Sequence, residues 1–243
     1  MGADGAATLG ALGQHTVLQP VRKLSVVANT SILGVSGAIG LSQRIGGIIN
    51  KLWDDKKLRG ASFEVMQAVR DGIGPVLKTE ISYAIEAAKL IGHPAASSAA
   101  ISLTVLAIPV QGTLRLYQFG CTGDPEEATV DLPFIAIGSG QNLADPFLAF
   151  LREIFWKQSK PNASEGIFAT VWSLLHAIRT NTGGVKEPIQ LMTIKQEGGK
   201  AVIKEFDNAE LEETRQGVRE AEAYLSQFSR PTPTPVPTAP AQP

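Results

Sequence analysis

Residues 21–40, VRKLSVVANTSILGVSGAIG, decide the fold of this chain, because two short strands are followed at once by the start of a helix. The runs 24–28 and 31–36 are rich in residues that favour β-strands, and the pair Asn29-Thr30 between them favours a turn. This arrangement predicts a hairpin. Lys23 opens the first strand of this otherwise apolar hairpin, and unless another residue pairs with it, it is expected to be a solvated charge at the edge of the sheet.

The pattern changes from β to helical immediately after the hairpin. Ser36 is expected to act as the N-cap, and the adjacent Gly37 leaves backbone N–H groups accessible to an anion or an oxyanion. Small and apolar residues then recur at helical spacing, at Ala38, Leu41, Ile45, Ile48, Ile49 and Leu52. The segment therefore predicts a strand-to-helix junction of the kind that can hold a reaction site.

The composition predicts a folded, enzyme-sized domain and gives no indication of a nucleic-acid or membrane partner. Hydrophobic residues make up 44% of 243 residues, which is enough to fill a sizeable core. The 22 basic and 23 acidic residues give a net charge of −1. This balance gives no support for binding to nucleic acid or for polybasic binding to a membrane surface.

Neither a metal site nor a disulfide is expected. Cys121 is the only cysteine, which excludes an internal disulfide and a cysteine-based zinc site. His15, His93 and His176 are far apart and form no zinc-binding spacing. The turn at 138–140 lacks the lysine and the serine or threonine of a phosphate-binding loop, so no cofactor is expected.

No stretch of the sequence predicts secretion or membrane insertion. Residues 1–14 lack the basic region and apolar core of a signal peptide, and the apolar run 99–110 is too short to span a bilayer. The run 32–49 is interrupted by Gln43 and Arg44. We therefore expect a cytoplasmic protein.

Strands and helices are expected in groups along the chain. Pro75 is expected to break or kink the first long helical region. Helices are predicted at 62–74, 76–91, 142–157, 166–179 and 208–228, and strands at 101–109, 112–119, 134–137, 189–194 and 201–206.

Grouped strands and helices predict an α+β fold, with two antiparallel sheets face to face and helices outside, in a four-layer α/β/β/α sandwich. The folded domain is expected to cover residues 1–229. Residues 230–243 are dominated by proline and are expected to form a disordered tail.

Four stretches resemble proteasome-type β subunits of the N-terminal-nucleophile hydrolases, including the bacterial ATP-dependent ring peptidase. They are GADGAATLG (2–10), the opening segment, FIAIGSG (134–140) and AIRTNTGG (177–184). The resemblance implies a threonine-type peptidase in a homo-oligomeric ring that acts on proteins or peptides, with an ATP-dependent unfoldase as a partner.

The resemblance also assigns site residues. Asp4 matches the active-site aspartate, and Lys23 matches the lysine beside the nucleophile. Gly37 matches the glycine whose N–H faces the oxyanion, and Ser139 the serine near the amino group of the nucleophile. In the loop at the end of the second helix of the pair, the arginine and serine of that family correspond to Arg179 and Thr182.

The chain departs from the family pattern in two places. Thr180 stands where an aspartate is expected, so one orienting carboxylate is missing. The family nucleophile is a threonine that opens a strand ahead of the aspartate turn, and this sequence begins three residues before Asp4. Thr8 and Thr16 cannot replace it, because cleavage before either would remove Asp4.

The resemblance therefore implies a proteasome-like peptidase subunit that acts in proteolysis, and we expect it to be truncated at its N-terminus and inactive as written. Two alternatives remain open: a non-catalytic ring or scaffold subunit of the same fold, and a hydrolase of small amides from the same superfamily. A serine nucleophile at Ser36 is disfavoured, because Ala38 replaces the last glycine of a GxSxG elbow.

Overall fold

The computed structural model describes residues 1–9, 15–17, 21–93, 97, 100–157, 159, 161–181 and 183–228. The helices are α1 (Ile39–Asp54), α2 (Ser62–Leu90), α3 (Gln141–Phe155), α4 (Ala163–Thr180) and α5 (Asn208–Gln227). The strands are β1 (Gly2–Ala3), β2 (Ala7–Leu9), β3 (His15–Val17), β4 (Leu24–Val27), β5 (Ser31–Ser36), β6 (Leu103–Val110), β7 (Thr113–Phe119), β8 (Pro125–Glu127), β9 (Gln190–Glu197) and β10 (Lys200–Glu205).

Two antiparallel sheets form the middle of the molecule. One has the strand order β4-β5-β6-β7-β8 and the other β1-β9-β10, while β2 and β3 form a separate two-stranded antiparallel pair that the sequence did not predict. Every strand pair in the described residues is antiparallel. The predicted α+β class with two antiparallel sheets is confirmed.

Three apolar clusters hold the layers together. The first packs α1 and α2 on one face of the five-stranded sheet, and the second packs α3, α4 and α5 on the three-stranded sheet. The third, built around Leu24, Ile32 and Met192, joins the two sheets. Successive residues of β5 serve different clusters because side chains alternate along a strand, so Ile32 faces the other sheet while Leu33 faces the helices.

The predicted cap of α1 is wrong. Ser36 remains in β5, where its Oγ accepts a hydrogen bond of 3.1 Å from the N–H of Leu103, and the N-cap is Ala38, which makes no side-chain cap bond. The pairing of β5 with β6 extends as far as Ser36 and Leu103. Ser36 is therefore the last residue of the strand and cannot also serve as the N-cap of the helix.

Pro75 does not break the chain. Helix α2 runs continuously from Ser62 to Leu90 with Pro75 inside it. Pro75 is exposed, and one face of the helix on either side of it is anchored by Val65, Val69, Ile73 and Leu77, which are buried in the first cluster. This burial outweighs the loss of one helical hydrogen bond.

The predicted strand at 134–137 is wrong, and so is the predicted connection just before it. Residues 134–137 are not a strand, whereas Pro125–Glu127, which the sequence predicted as a connection, pairs with β7 as β8. An isolated run of β-forming residues becomes a strand only where a partner supplies backbone hydrogen bonds.

Two further expectations concern membrane-spanning segments and the proline-rich C-terminal segment. No helix in the described ranges is long and apolar enough to cross a membrane. The proline-rich segment 230–243 lies outside the described residues.

Candidate active site

An ion pair between Asp4 and Lys23 forms the centre of the candidate site. Lys23 Nζ donates to Asp4 Oδ1 at 2.7 Å, and the lysine and aspartate side chains are only 26% and 14% exposed. The other carboxylate oxygen of Asp4 accepts from the N–H of Ala6 at 2.9 Å and of Lys186 at 3.3 Å. Asp4 is therefore held by backbone groups from two directions, and it fixes the lysine ammonium.

The fold brings these two residues together from separate sheets. β1 pairs with β9 and ends immediately before Asp4, whereas Lys23 immediately precedes β4 of the five-stranded sheet. Gln190 joins the two sheets here, since its Nε2 donates to the carbonyl of Val21 at 2.5 Å and its Oε1 accepts from the N–H of Lys23 at 3.0 Å. No local sequence pattern indicates this role of Gln190.

Gly37 occupies a conformation that favours glycine. Its φ is +107°, and a Cβ at this position would lie 3.0 Å from the carbonyl oxygen of Ile101 and 3.1 Å from the Cβ of Ser102. Ser102 Oγ donates to the carbonyl of Ser36 at 2.5 Å and holds this junction in place. The wall of the site is therefore bare backbone at Gly37.

Ser139 lies in the turn before α3. Its Oγ donates to the carbonyl of Gly184 at 3.2 Å, and its own carbonyl accepts from Asn181 Nδ2 at 3.2 Å. These bonds tie the serine turn to the loop after α4. Ser139 thus has a bonded hydroxyl and a fixed position at the site.

Arg179 lies away from the ion pair. Its Nη1 donates to both carboxylate oxygens of Glu222 on α5, at 2.7 and 2.8 Å, and Trp172 Nε1 donates to the same carboxylate at 3.0 Å. These contacts dock α5 on α4. Thr182, the other predicted residue of this loop, lies outside the described residues.

One large cavity, of about 1810 Å³, gathers the other predicted residues. Asp4, Lys23, Gly37 and Ser139 all line it, and Arg179 does not. No hydroxyl of a described residue forms a hydrogen bond with Lys23 Nζ. The cavity therefore contains a fixed ammonium, a carboxylate and a bare glycine, and it lacks an attacking group beside the lysine in the part of the chain that is described.

The described residues that line this cavity do not form a metal site. Over the described ranges, no group of three or more histidine, cysteine, aspartate or glutamate side chains is placed to hold a metal ion. The described residues that line the site supply an ammonium, a carboxylate, serine hydroxyls and backbone N–H groups.

The two facing antiparallel sheets between helical layers define a proteasome-like fold. The chain is similar to the solved structure of Anbu (ancestral beta-subunit) from Yersinia bercovieri, with a TM-score of 0.66 and 16% identity over 97% of this chain and 94% of that one. It is also similar to Anbu from Hyphomicrobium sp. strain MC1, with a TM-score of 0.65 and 19% identity over the same shares. No protein-family model matches the sequence, and no curated protein matches it. At these identities the likeness shows the fold.

Proposed function

We propose that this chain is a proteasome-like subunit with the charged half of a threonine-type peptidase site. The observation that carries the proposal is the ion pair of Asp4 and Lys23 at the wall of a large cavity. An ammonium fixed beside a hydroxyl favours loss of the hydroxyl proton, which is what a weak oxygen nucleophile needs. The nucleophile in this proposal is an N-terminal threonine on a strand that the sequence does not contain.

Each remaining site residue has a defined task in this reaction. Asp4 orients Lys23 and balances its charge, which keeps the ammonium in place inside a partly desolvated cavity. The backbone at Gly37 receives the charge that develops on the carbonyl oxygen of the substrate. Ser139 bonds to the loop after α4 and fixes that side of the site, while Arg179 supports the region from outside the cavity by docking α5 on α4. The role that the resemblance implies for Thr182 stays a prediction.

The 243-residue chain by itself is expected to have no peptidase activity, because it can orient and stabilise but has nothing to attack with. A fluorogenic peptide assay on this chain, and on a version with a threonine-initiated strand joined ahead of Met1, tests the proposal. The joined version is expected to be active. In it, Lys23→Ala should lower kcat/KM by a factor on the order of 10³ or more, and Asp4→Asn by roughly 10².

Arg22→Ala provides a matched control, because Arg22 precedes Lys23 but pairs with Glu205 at an exposed position. Its activity in the joined version should stay within about twofold, as expected for an exposed ion pair. Activity of the 243-residue chain that resists an electrophilic threonine-directed inhibitor would contradict the proposal. It would identify Ser36 or Ser139 as the nucleophile.

A non-catalytic scaffold subunit is the second candidate. It is favoured by one observation, the lack of any hydroxyl bonded to Lys23 Nζ among the described residues. An inactive joined version that still folds and assembles would support the scaffold.

Ring assembly, an ATP-dependent unfoldase partner, protein or peptide substrates and a cytoplasmic location belong to the same proposal. They rest on the resemblance of the four motifs. The exposed apolar side chains of α3 add support for assembly.

A further inference from the structure

The last turn of α5 extends beyond the surface on which this helix packs. Leu211 and Val218, seven residues apart on one face, are buried, whereas Leu225, a further seven residues along, is 46% exposed. The helix continues to Gln227, with Phe228 as its C-cap. Its end therefore presents a face that the described residues leave open.

Two aromatic side chains lie on this open face. Tyr224 and Phe228 are one helical turn apart, and their rings pack edge to face with centroids 5.3 Å apart. They are 61% and 73% exposed, and Leu225 is their neighbour on the helix surface. We call Tyr224, Leu225 and Phe228 the aromatic face. A contiguous apolar patch of this kind usually has an occupant.

The sequence that follows the aromatic face has the chemistry of such an occupant. Residues 231–237, PTPTPVP, carry four prolines and no charge, and we call them the proline segment. Each proline fixes its own φ and keeps the residue before it extended, so the segment favours polyproline II. Proline-rich peptides in this conformation bind to aromatic side chains, and they lose little conformational entropy when they do so.

The spacing of the prolines matches the spacing of the rings. Four residues of α-helix, from Tyr224 to Phe228, advance about 6 Å along the axis. Two residues of polyproline II, from Pro231 to Pro233, also advance about 6 Å. Only two residues separate Phe228 from Pro231, which is enough for a turn and keeps the prolines at a high effective concentration beside the rings. The same chain is therefore favoured over a second copy as the source of the segment.

We propose that the proline segment folds back on the aromatic face of its own chain, antiparallel to α5, with Pro231 against Phe228 and Pro233 against Tyr224. Residues 229–243 lie outside the described part of the chain, and the proline-rich composition alone predicts a disordered tail. The exposed rings are the observation that gives the first part of this tail a partner. Packing covers an apolar patch that would otherwise be open to other molecules.

Three residues per turn give the proline segment three edges of different character. Two neighbouring edges are mainly apolar and are formed by Pro231, Thr234 and Pro237, and by Pro233 and Val236. The third edge is formed by Thr232 and Pro235. In the proposed contact the two mainly apolar edges face α5, and Pro235 faces solvent.

This contact does not depend on the proposed peptidase chemistry. None of Tyr224, Leu225 and Phe228 lines the cavity that contains Asp4 and Lys23. Inactivity in the peptidase assay would leave this inference standing, and an uncovered aromatic face would leave the proposed function standing.

Hydroxyl-radical footprinting with mass spectrometry measures the contact in the full 243-residue chain. The measured quantity is the oxidation rate of Tyr224 relative to that of Tyr83, which lies on α2, is 65% exposed and serves as a reference within each molecule. The comparison is a full-length variant that combines Pro231→Ser, Pro233→Ser, Pro235→Ser and Pro237→Ser. In this combined variant the relative rate should be at least about twofold higher than in the unaltered chain. The rate of Phe228 should rise in the same way.

Two single substitutions separate ring packing from chain stiffness. Pro233→Ser removes a ring from an edge that faces α5, and it should raise the relative rate of Tyr224 at least about 1.5-fold. Pro235→Ser removes the same kind of ring from the solvent edge, with the same gain in freedom of the chain. It should leave the relative rate unchanged.

Three results would overturn the inference. The first is an equal relative rate in the unaltered chain and the combined variant. The second is an equal effect of Pro233→Ser and Pro235→Ser. The third is a protection of Tyr224 that disappears on about tenfold dilution, because it would assign the segment to a second copy.

Discussion

Burial of the α-amino group of Met1 gives the site region a pH-dependent contribution to stability. The group donates to the carbonyl of Met192, and desolvation lowers its pKa from 8.0 to about 6. The folded chain therefore binds fewer protons than the unfolded chain between pH 6 and pH 8. The free energy of unfolding should rise through that window as pH increases.

The expected rise is up to about 2–3 kcal/mol, from a shift of about two pKa units. Urea denaturation at pH 5.5 and pH 8.5 measures it, on protein whose mass confirms that Met1 is retained. The same chain acetylated at its amino group is the control, because it cannot titrate there. An equal pH dependence in both forms would contradict the prediction.

Alanine substitutions at Gly37 and Gly47 test whether the backbone conformation at Gly37 requires a glycine. Gly37→Ala should lower the free energy of unfolding by about 1–3 kcal/mol, since φ is +107° and the Cβ would lie 3.0 Å from a carbonyl oxygen. Gly47 lies inside α1 with no atom within 4 Å of an added Cβ, so Gly47→Ala should raise it by about 0.5–1 kcal/mol. Chemical denaturation measures the free energy of unfolding of both variants. Equal changes in the two would contradict the prediction that only Gly37 requires a glycine.

At the scale of elements, α2 accommodates a residue that normally ends a helix. Pro75 is exposed and lacks the N–H that would bond one turn back, while the apolar face of the helix stays buried. The stability of this helix therefore comes from packing on the sheet.

Pro75→Ala is expected to raise the free energy of unfolding by about 1–3 kcal/mol, because it restores one helical hydrogen bond. The gain is reduced by the greater freedom of the unfolded chain without proline. Lys78→Ala, at another exposed position of α2, should change stability by less than about 0.5 kcal/mol. Thermal unfolding of the two variants would disprove the expectation if the proline variant were the less stable.

At the scale of the whole molecule, α3 and α4 differ in what they leave exposed. On α3, Phe150, Ile154 and Phe155 are 49%, 54% and 49% exposed, whereas the buried side chains of α4 pack between α3 and α5. An apolar patch of this kind is typical of an interface between subunits.

We therefore expect the chain to assemble through α3. Gel filtration with light scattering at micromolar concentration should give a mass above the 25.8 kDa of one chain. Replacing Phe150 and Ile154 by glutamate should reduce the mass to that of a monomer. Phe63→Glu, on α2, should not change it. A monomer before any substitution would rule out this interface.

The helical and strand periods along the sequence determined the class of fold. The hairpin of β4 and β5, the apolar faces of α1 and α3–α5, and the antiparallel sheets all follow from local spacing and turn residues. The motif resemblance also selected Asp4 and Lys23, and the structure pairs these two residues directly. Their roles in catalysis stay a prediction until activity is measured.

Only the tertiary structure decided which local preferences prevail. Residues 134–137 have strand-forming side chains but no backbone partner, so they form no strand, while 125–127 became one because β7 offered an open edge. Ser36 pairs in the sheet and does not cap the helix for the same reason. Gln190, 167 positions from Lys23, fixes the site through hydrogen bonds that no local pattern predicts. Backbone hydrogen bonding depends on which segments meet, and that is a property of the folded chain alone.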